Sequence, residues 1–85
     1  RMLRHQFHAA LLDVRSAKQQ VTTSKKQVEL AAAAHHSAEL LYNAGNAKTT
    51  DLLDAQIREI QARANLIRSR YDYLIALARL RRAAG

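Results

Sequence analysis

The stretch YNAGNAKTTDLLDAQ, Tyr42 to Gln56, decides the fold. It holds Gly45, the one interior glycine of a chain without proline, and Asn46 beside it. Glycine takes the left-handed backbone that ends a helix, and asparagine tolerates it next best. Thr49, Thr50 and Asp51 follow, all good N-cap types. Asp51 and Asp54 then fall in a first helical turn, where the helix dipole favours anions. The stretch therefore reads as a sharp reversal between two helices, and capping alone accounts for both aspartates.

On either side, alanine, leucine, arginine and glutamine dominate, and strand-favouring residues are sparse and scattered. The fold class expected is all-α, a long antiparallel coiled-coil hairpin with helices over about 2–43 and 50–83 and a turn over 44–49. Eighty-five residues make one domain, 1–85, with a limited core, so partners are expected. The chain starts at Arg1, which reads as a fragment of a longer protein.

Hydrophobic spacing supports the hairpin. In the first half, alternating steps of four and three residues join Leu3, Phe7, Ala10, Val14, Ala17, Val21, Ser24, Val28, Ala31, His35, Ala38 and Tyr42. That is a heptad seam with one bulky column and one small column. In the second half the same stepping joins Leu53, Ile57, Ile60, Ala64, Ile67, Tyr71, Leu74, Ala78 and Arg81. Folding at Gly45–Lys48 sets Ala38 against Ile57, His35 against Ile60, Ala31 against Ala64, Val28 against Ile67, Ser24 against Tyr71, Val21 against Leu74 and Ala17 against Ala78. At about 1.5 Å per residue the arms span roughly 50–65 Å. Off this seam, Leu52, Leu66, Tyr73, Leu77 and Leu80 form a second stripe, which calls for further helices on the flanks.

The net charge is +7 and unevenly spread. Residues 1–28 carry six bases and one acid, 29–54 one base and four acids, and 55–85 seven bases and two acids. The reversal is acidic and both chain ends are basic. A nucleic-acid-binding hairpin more often carries its positive charge along one face or at the tip, so nucleic acid is not expected as a partner. The chain has no cysteine, which excludes disulfides and thiolate metal sites, and no apolar run approaches the roughly 20 residues of a membrane span.

His5 and His8 are three apart, and His35 and His36 point about 100° apart on a helix. His35 lies on the seam and reads as a polar interruption that fixes register; no metal or other cofactor is expected. His36 with Glu39 reads as two solvated helix residues. Arg58, Arg63, Arg68, Arg70, Arg79, Arg81 and Arg82 read as a solvated face, with Glu59 and Asp72 near enough to pair. No nucleophile–base pair or phosphate loop stands out, and an enzyme is not expected.

The turn stretch, together with RYDYLIALARLRRAAG over Arg70 to Gly85, resembles the TolC-type outer-membrane efflux channel family. There a pattern Tyr-x-x-Gly-x-x-x-x-x-Asp-(Val/Leu)-Leu-Asp-Ala marks the periplasmic turn of a long hairpin. Tyr42, Gly45, Asp51, Leu53, Asp54 and Ala55 match it. Downstream, Arg70, Tyr71, Tyr73, Leu74, Leu80, Ala83 and Gly85 match a second family stretch. The resemblance implies a trimeric conduit for efflux or secretion. Its strands, absent from this chain, form a barrel in the outer membrane, and hairpins such as this one form a periplasmic tunnel. It further implies that Asn43, Ala44, Gly45, Asn46, Ala47, Lys48, Thr49 and Thr50 turn the chain and dock on a periplasmic adaptor, itself joined to an inner-membrane pump. Asp51 and Asp54 would line the tunnel entrance. Where well-known members carry a gate arginine, this chain has Ala47, with Lys48 beside it. Two other readings fit the same residues: a self-associating helical hairpin without a transport role, and a basic nucleic-acid-binding hairpin.

Overall fold

The computed structural model describes residues 4–85 and contains two helices, α1 (Arg4–Asn43) and α2 (Thr49–Ala84). They lie antiparallel in a rod with extents of 65 × 13 × 12 Å. The expected hairpin is present; the end of α1, the turn and both ends of α2 fall within a residue of their expected positions, and the expected start of the first helix near residue 2 lies outside the described residues. Leu3, the first member of the α1 seam, lies outside the described residues.

The reversal is built as the glycine implied. Gly45 sits at φ +78°. The Asn46 amide donates to the Leu41 carbonyl at 2.8 Å and the Gly45 amide to the Tyr42 carbonyl at 3.0 Å. Those two bonds make a Schellman cap with glycine in the left-handed position. At the other side the N-cap position falls on Lys48, not on Thr49, Thr50 or Asp51. Lysine has no side-chain acceptor, so the usual cap bond is not made. Instead Asp51, at the third helical position, reaches back and accepts from the Lys48 amide at 3.2 Å. That is half of a capping box.

The seam of α1 is the expected one from Ala10 to Ala38, while its end members Phe7 and Tyr42 are exposed. Val14 and Ser24 are buried, and Ala10, Ala17, Val21, Val28, Ala31, His35 and Ala38 are half-buried. The seam of α2 is not. Ile60, Ile67 and Tyr71, expected inside, are 67%, 58% and 66% exposed, and Leu53, Ile57 and Leu74 are exposed as well. Ala62, Ser69, Ala76 and Ala83 are buried, and Leu52, Ala55, Glu59, Leu66, Tyr73 and Leu80 are half-buried. The inner stripe of α2 is therefore the one that the sequence reading left outside. At about 100° per residue, the two stripes lie about 150° apart around the helix.

The pairing follows from this face. Ala31 and Ala62 line one groove, Ala17 and Ala76 a second, and Ala10 and Ala83 a third. Counting between them sets Ser24 level with Ser69, and those two side chains are 1% and 3% exposed. Tyr71 is not opposite Ser24; it points away. The small column of α1, read from Ala10 to Ala38, is Ala-Ala-Ser-Ala-Ala, and so is that of α2 from Ala55 to Ala83. The order is the same in both directions, so antiparallel arms match small to small along their whole length. Subtracting one Cα cylinder from the 13 Å width leaves about 8 Å between the axes, the close end of the usual helix-pair range.

Candidate tip and packing surfaces

The antiparallel arms gather the two basic chain ends at one end of the rod and leave the acidic stretch at the other. Asn43 to Thr50 form that tip, and all of them are exposed except the half-buried Ala47. Asp51 and Asp54 are exposed one turn further on. They stand on one wall of an open groove together with Arg58, with Leu30 and Ala34 on the facing wall and Ala31 and Ala62 between. The structure thus brings the two expected aspartates to one surface. It also separates them by role. Asp51 already caps α2 through the Lys48 amide, whereas Asp54 has no hydrogen bond or ion pair among the described residues. Lys48 contributes its backbone to the turn.

Between the arms lies one polar cluster that joins them. The His35 Nδ1 and Glu59 Oε1 atoms are 2.6 Å apart. A carboxylate only accepts, so the shared hydrogen sits on Nδ1. Arg63 donates to the other Glu59 oxygen, Oε2, through Nη2 at 2.7 Å and Nε at 3.0 Å. The His35 and Glu59 side chains are 23% and 17% exposed. The hydrogen bonds from Arg63, and then those from His35, hold the Glu59 carboxyl below its ordinary pKa, while partial desolvation works against them. On its far side His35 Nε2 is buried without a hydrogen-bond partner, and Glu39 Oε1 stands 4.0 Å from it. Glu39 therefore approaches His35 across one helical turn. His35 does interrupt the seam as expected, and its counterpart is Glu59, which occupies the same kind of seam position on α2.

The outer stripe of α2 is an exposed apolar surface. Leu53, Ile60, Ile67 and Leu74 recur every seven residues, as do Ile57, Ala64, Tyr71 and Ala78. That is a complete second heptad seam, and its bulky members are exposed. α1 adds Leu12, Leu30, Leu40 and Leu41, also exposed. Contiguous apolar surface of this extent marks a place where other chains or other segments pack. Among the described residues, neither helix is long and apolar enough to cross a membrane, and no cluster of three or more histidine, aspartate or glutamate side chains could hold a metal ion.

Glu59 pairs with Arg63 on the arginine face as expected; its contact with His35 and the Ala55–Ala83 column were missed by the sequence reading. The signal was present: the five small residues of α1 recur on α2 at the same spacing, and a polar residue breaks the bulky column once on each helix. No curated protein and no solved structure matches the chain. The sequence model of the outer membrane efflux protein family matches residues 2–85, nearly the whole chain, and the protein belongs to that family.

Proposed function

We propose that this hairpin is a stave of the periplasmic tunnel of a trimeric outer-membrane efflux or secretion channel. It acts by assembly and passive conduction, without chemistry. The observation that carries the reading is the outer seam of α2. A coiled-coil pair that zips its arms through one seam has no use for a second heptad pattern on the far side of α2. A stave in a closed wall does, because each helix then faces a neighbour on both sides. Membership of the efflux family supplies the setting.

In this reading the tip, Asn43 to Thr50, docks on a periplasmic adaptor that couples the channel to an inner-membrane pump. Its exposure and its rigid capped turn suit a docking element. Asp51 and Asp54 face the tunnel entrance, where three copies would set six carboxylates in a ring that attracts cations. Asp54 is the better candidate of the two, since Asp51 is engaged in capping.

The test uses the intact channel that carries this hairpin. Replacing Ile60 or Ile67 by aspartate should abolish the trimer on native gels and the efflux phenotype, with membrane insertion of the barrel checked separately. Trimers that survive both changes would refute the tunnel reading. For the entrance, Asp54→Asn should lower cation selectivity in planar bilayers; unchanged selectivity would remove Asp54 from the constriction.

A further inference from the structure

α2 carries two heptad seams, yet only one packs against α1. The unused one is richer in isoleucine and leucine. Its bulky column runs Leu53, Ile60, Ile67, Leu74, whereas that of the inner seam runs Leu52, Glu59, Leu66, Tyr73, Leu80. Burial of apolar area alone would turn α2 over and zip the outer stripe onto α1. Something selects the less apolar face. The small columns contribute: on the outer seam Ala64 and Ala78 would face Ala31 and Ala17, but Ile57 and Tyr71 would face Ala38 and Ser24.

We propose that the His35–Glu59 bond acts as a selector beside the small columns: it biases which side of α2 faces α1, and so helps to keep the outer seam free. In the observed pairing His35 Nδ1 donates to Glu59 at 2.6 Å from within the seam. With α2 turned over, His35 would stand against Ile60 and lose its partner across the helices. A partly buried imidazole facing isoleucine keeps only the 4.0 Å approach of Glu39 on its own helix, and an unmade buried hydrogen bond costs more than the made one contributes. Glu59 loses little in that alternative, because Arg63 lies on its own helix one turn away and keeps both of its bonds. The discrimination therefore sits on His35. A single polar residue in a heptad seam is the best-attested device for fixing register. Here it fixes the rotation of one arm. The inference concerns the hairpin alone and stands apart from the tunnel reading.

The chain has no cysteine, so pairs introduced singly report on the packing. Ser24→Cys with Ser69→Cys reports the observed face, and Val28→Cys with Ile67→Cys reports the turned one. Disulfides form only where the Cβ atoms approach closely. In the otherwise unaltered chain, oxidised while dilute, the first pair should close and the second should not. Adding His35→Ile should raise closure of the second pair about five-fold or more, relative to the first. Adding Glu59→Leu, which orphans His35 on the observed face, should do the same. Exchanging the residues, His35→Glu with Glu59→His, should restore the original preference. Circular dichroism checks that each variant stays helical. If neither single change shifts closure toward the second pair, whether the helices persist or melt, the proposal is overturned.

Discussion

His35 of α1 and Glu59 of α2 meet across the hairpin at 2.6 Å, each standing where its heptad calls for a bulky apolar residue. The contact links two structural levels. It pairs His35 Nδ1 with Glu59 inside the seam, and it holds the arms in a pairing that leaves Ile60, Ile67 and Tyr71 outside. His35→Ala should lower the melting temperature of the hairpin, and the loss should be much smaller when Glu59→Gln is already present. A double-mutant cycle by thermal denaturation measures that coupling. Equal losses in both backgrounds would show that the two residues act independently.

Acid should weaken the same contact, with a sign fixed by Glu59. Its pKa in the folded chain lies below the ordinary 4.5, held there first by Arg63 and then by His35. A group depressed on folding stabilises the fold fully above its unfolded pKa. That contribution is lost as pH falls through the folded value. The stability advantage of the natural chain over Glu59→Gln should therefore shrink as pH drops below 4.5. Melting curves of the two chains between about pH 3 and 5 check it. An advantage that grows on acidification in that window contradicts the assignment.

Much of this fold was legible in residues that carry a local signal. Gly45 marks the reversal because its left-handed backbone is a local demand, and the α1 seam shows because its bulky column is nearly all apolar. The α2 seam was misread because heptad stepping detects apolar bulk, and bulk is greater on the outer stripe. What sets the inner face is pairwise: Ala against Ala, Ser24 against Ser69, His35 against Glu59. Pairwise matches are invisible in either helix alone. The acidic tip was legible as charge. That Asp51 caps α2 from the third helical position, while Asp54 has no partner among the described residues, needed coordinates, because both aspartates fit a first helical turn equally well.

The small column should tolerate loss of hydroxyl and resist gain of bulk. Ser24 and Ser69 are almost completely buried between the arms. Ser24 accepts one long bond, 3.5 Å, from Gln20, so Ser24→Ala should change stability by about 0.5 kcal/mol at most. Ser24→Leu forces the arms apart and should cost about 1–3 kcal/mol. Chemical denaturation separates the two, and a leucine tolerated like alanine would show that the arms are not in close contact there.

The turn should depend on backbone conformation, not on space. A Cβ built on Gly45 would meet nothing within 4 Å, yet φ is +78°. Gly45→Ala should therefore cost about 1–2 kcal/mol, the penalty of a left-handed residue with a side chain. Gly45→Asn should cost less, since asparagine enters that region more easily. Equal costs for the two would mean that the Schellman cap does not govern hairpin stability.

The outer seam should separate folding from assembly. Ile60 and Ile67 are more than half exposed and face away from α1. Replacing either by lysine removes apolar surface without disturbing the arm contact, so helix content should be unchanged and stability of the hairpin should shift by about 0.5 kcal/mol or less. Association should respond differently. Each lysine would bring a charge into a seam that another helix must cover, and desolvating an unpaired charge is far costlier than leaving it in water. Analytical ultracentrifugation of the 85-residue chain should show self-association that Ile60→Lys and Ile67→Lys abolish, with Arg68→Gln, beside the seam, as a neutral control. If the lysine variants instead melt the hairpin, α2 packs on α1 through the outer stripe after all. If association survives both changes, other chains meet this protein through the exposed leucines of α1.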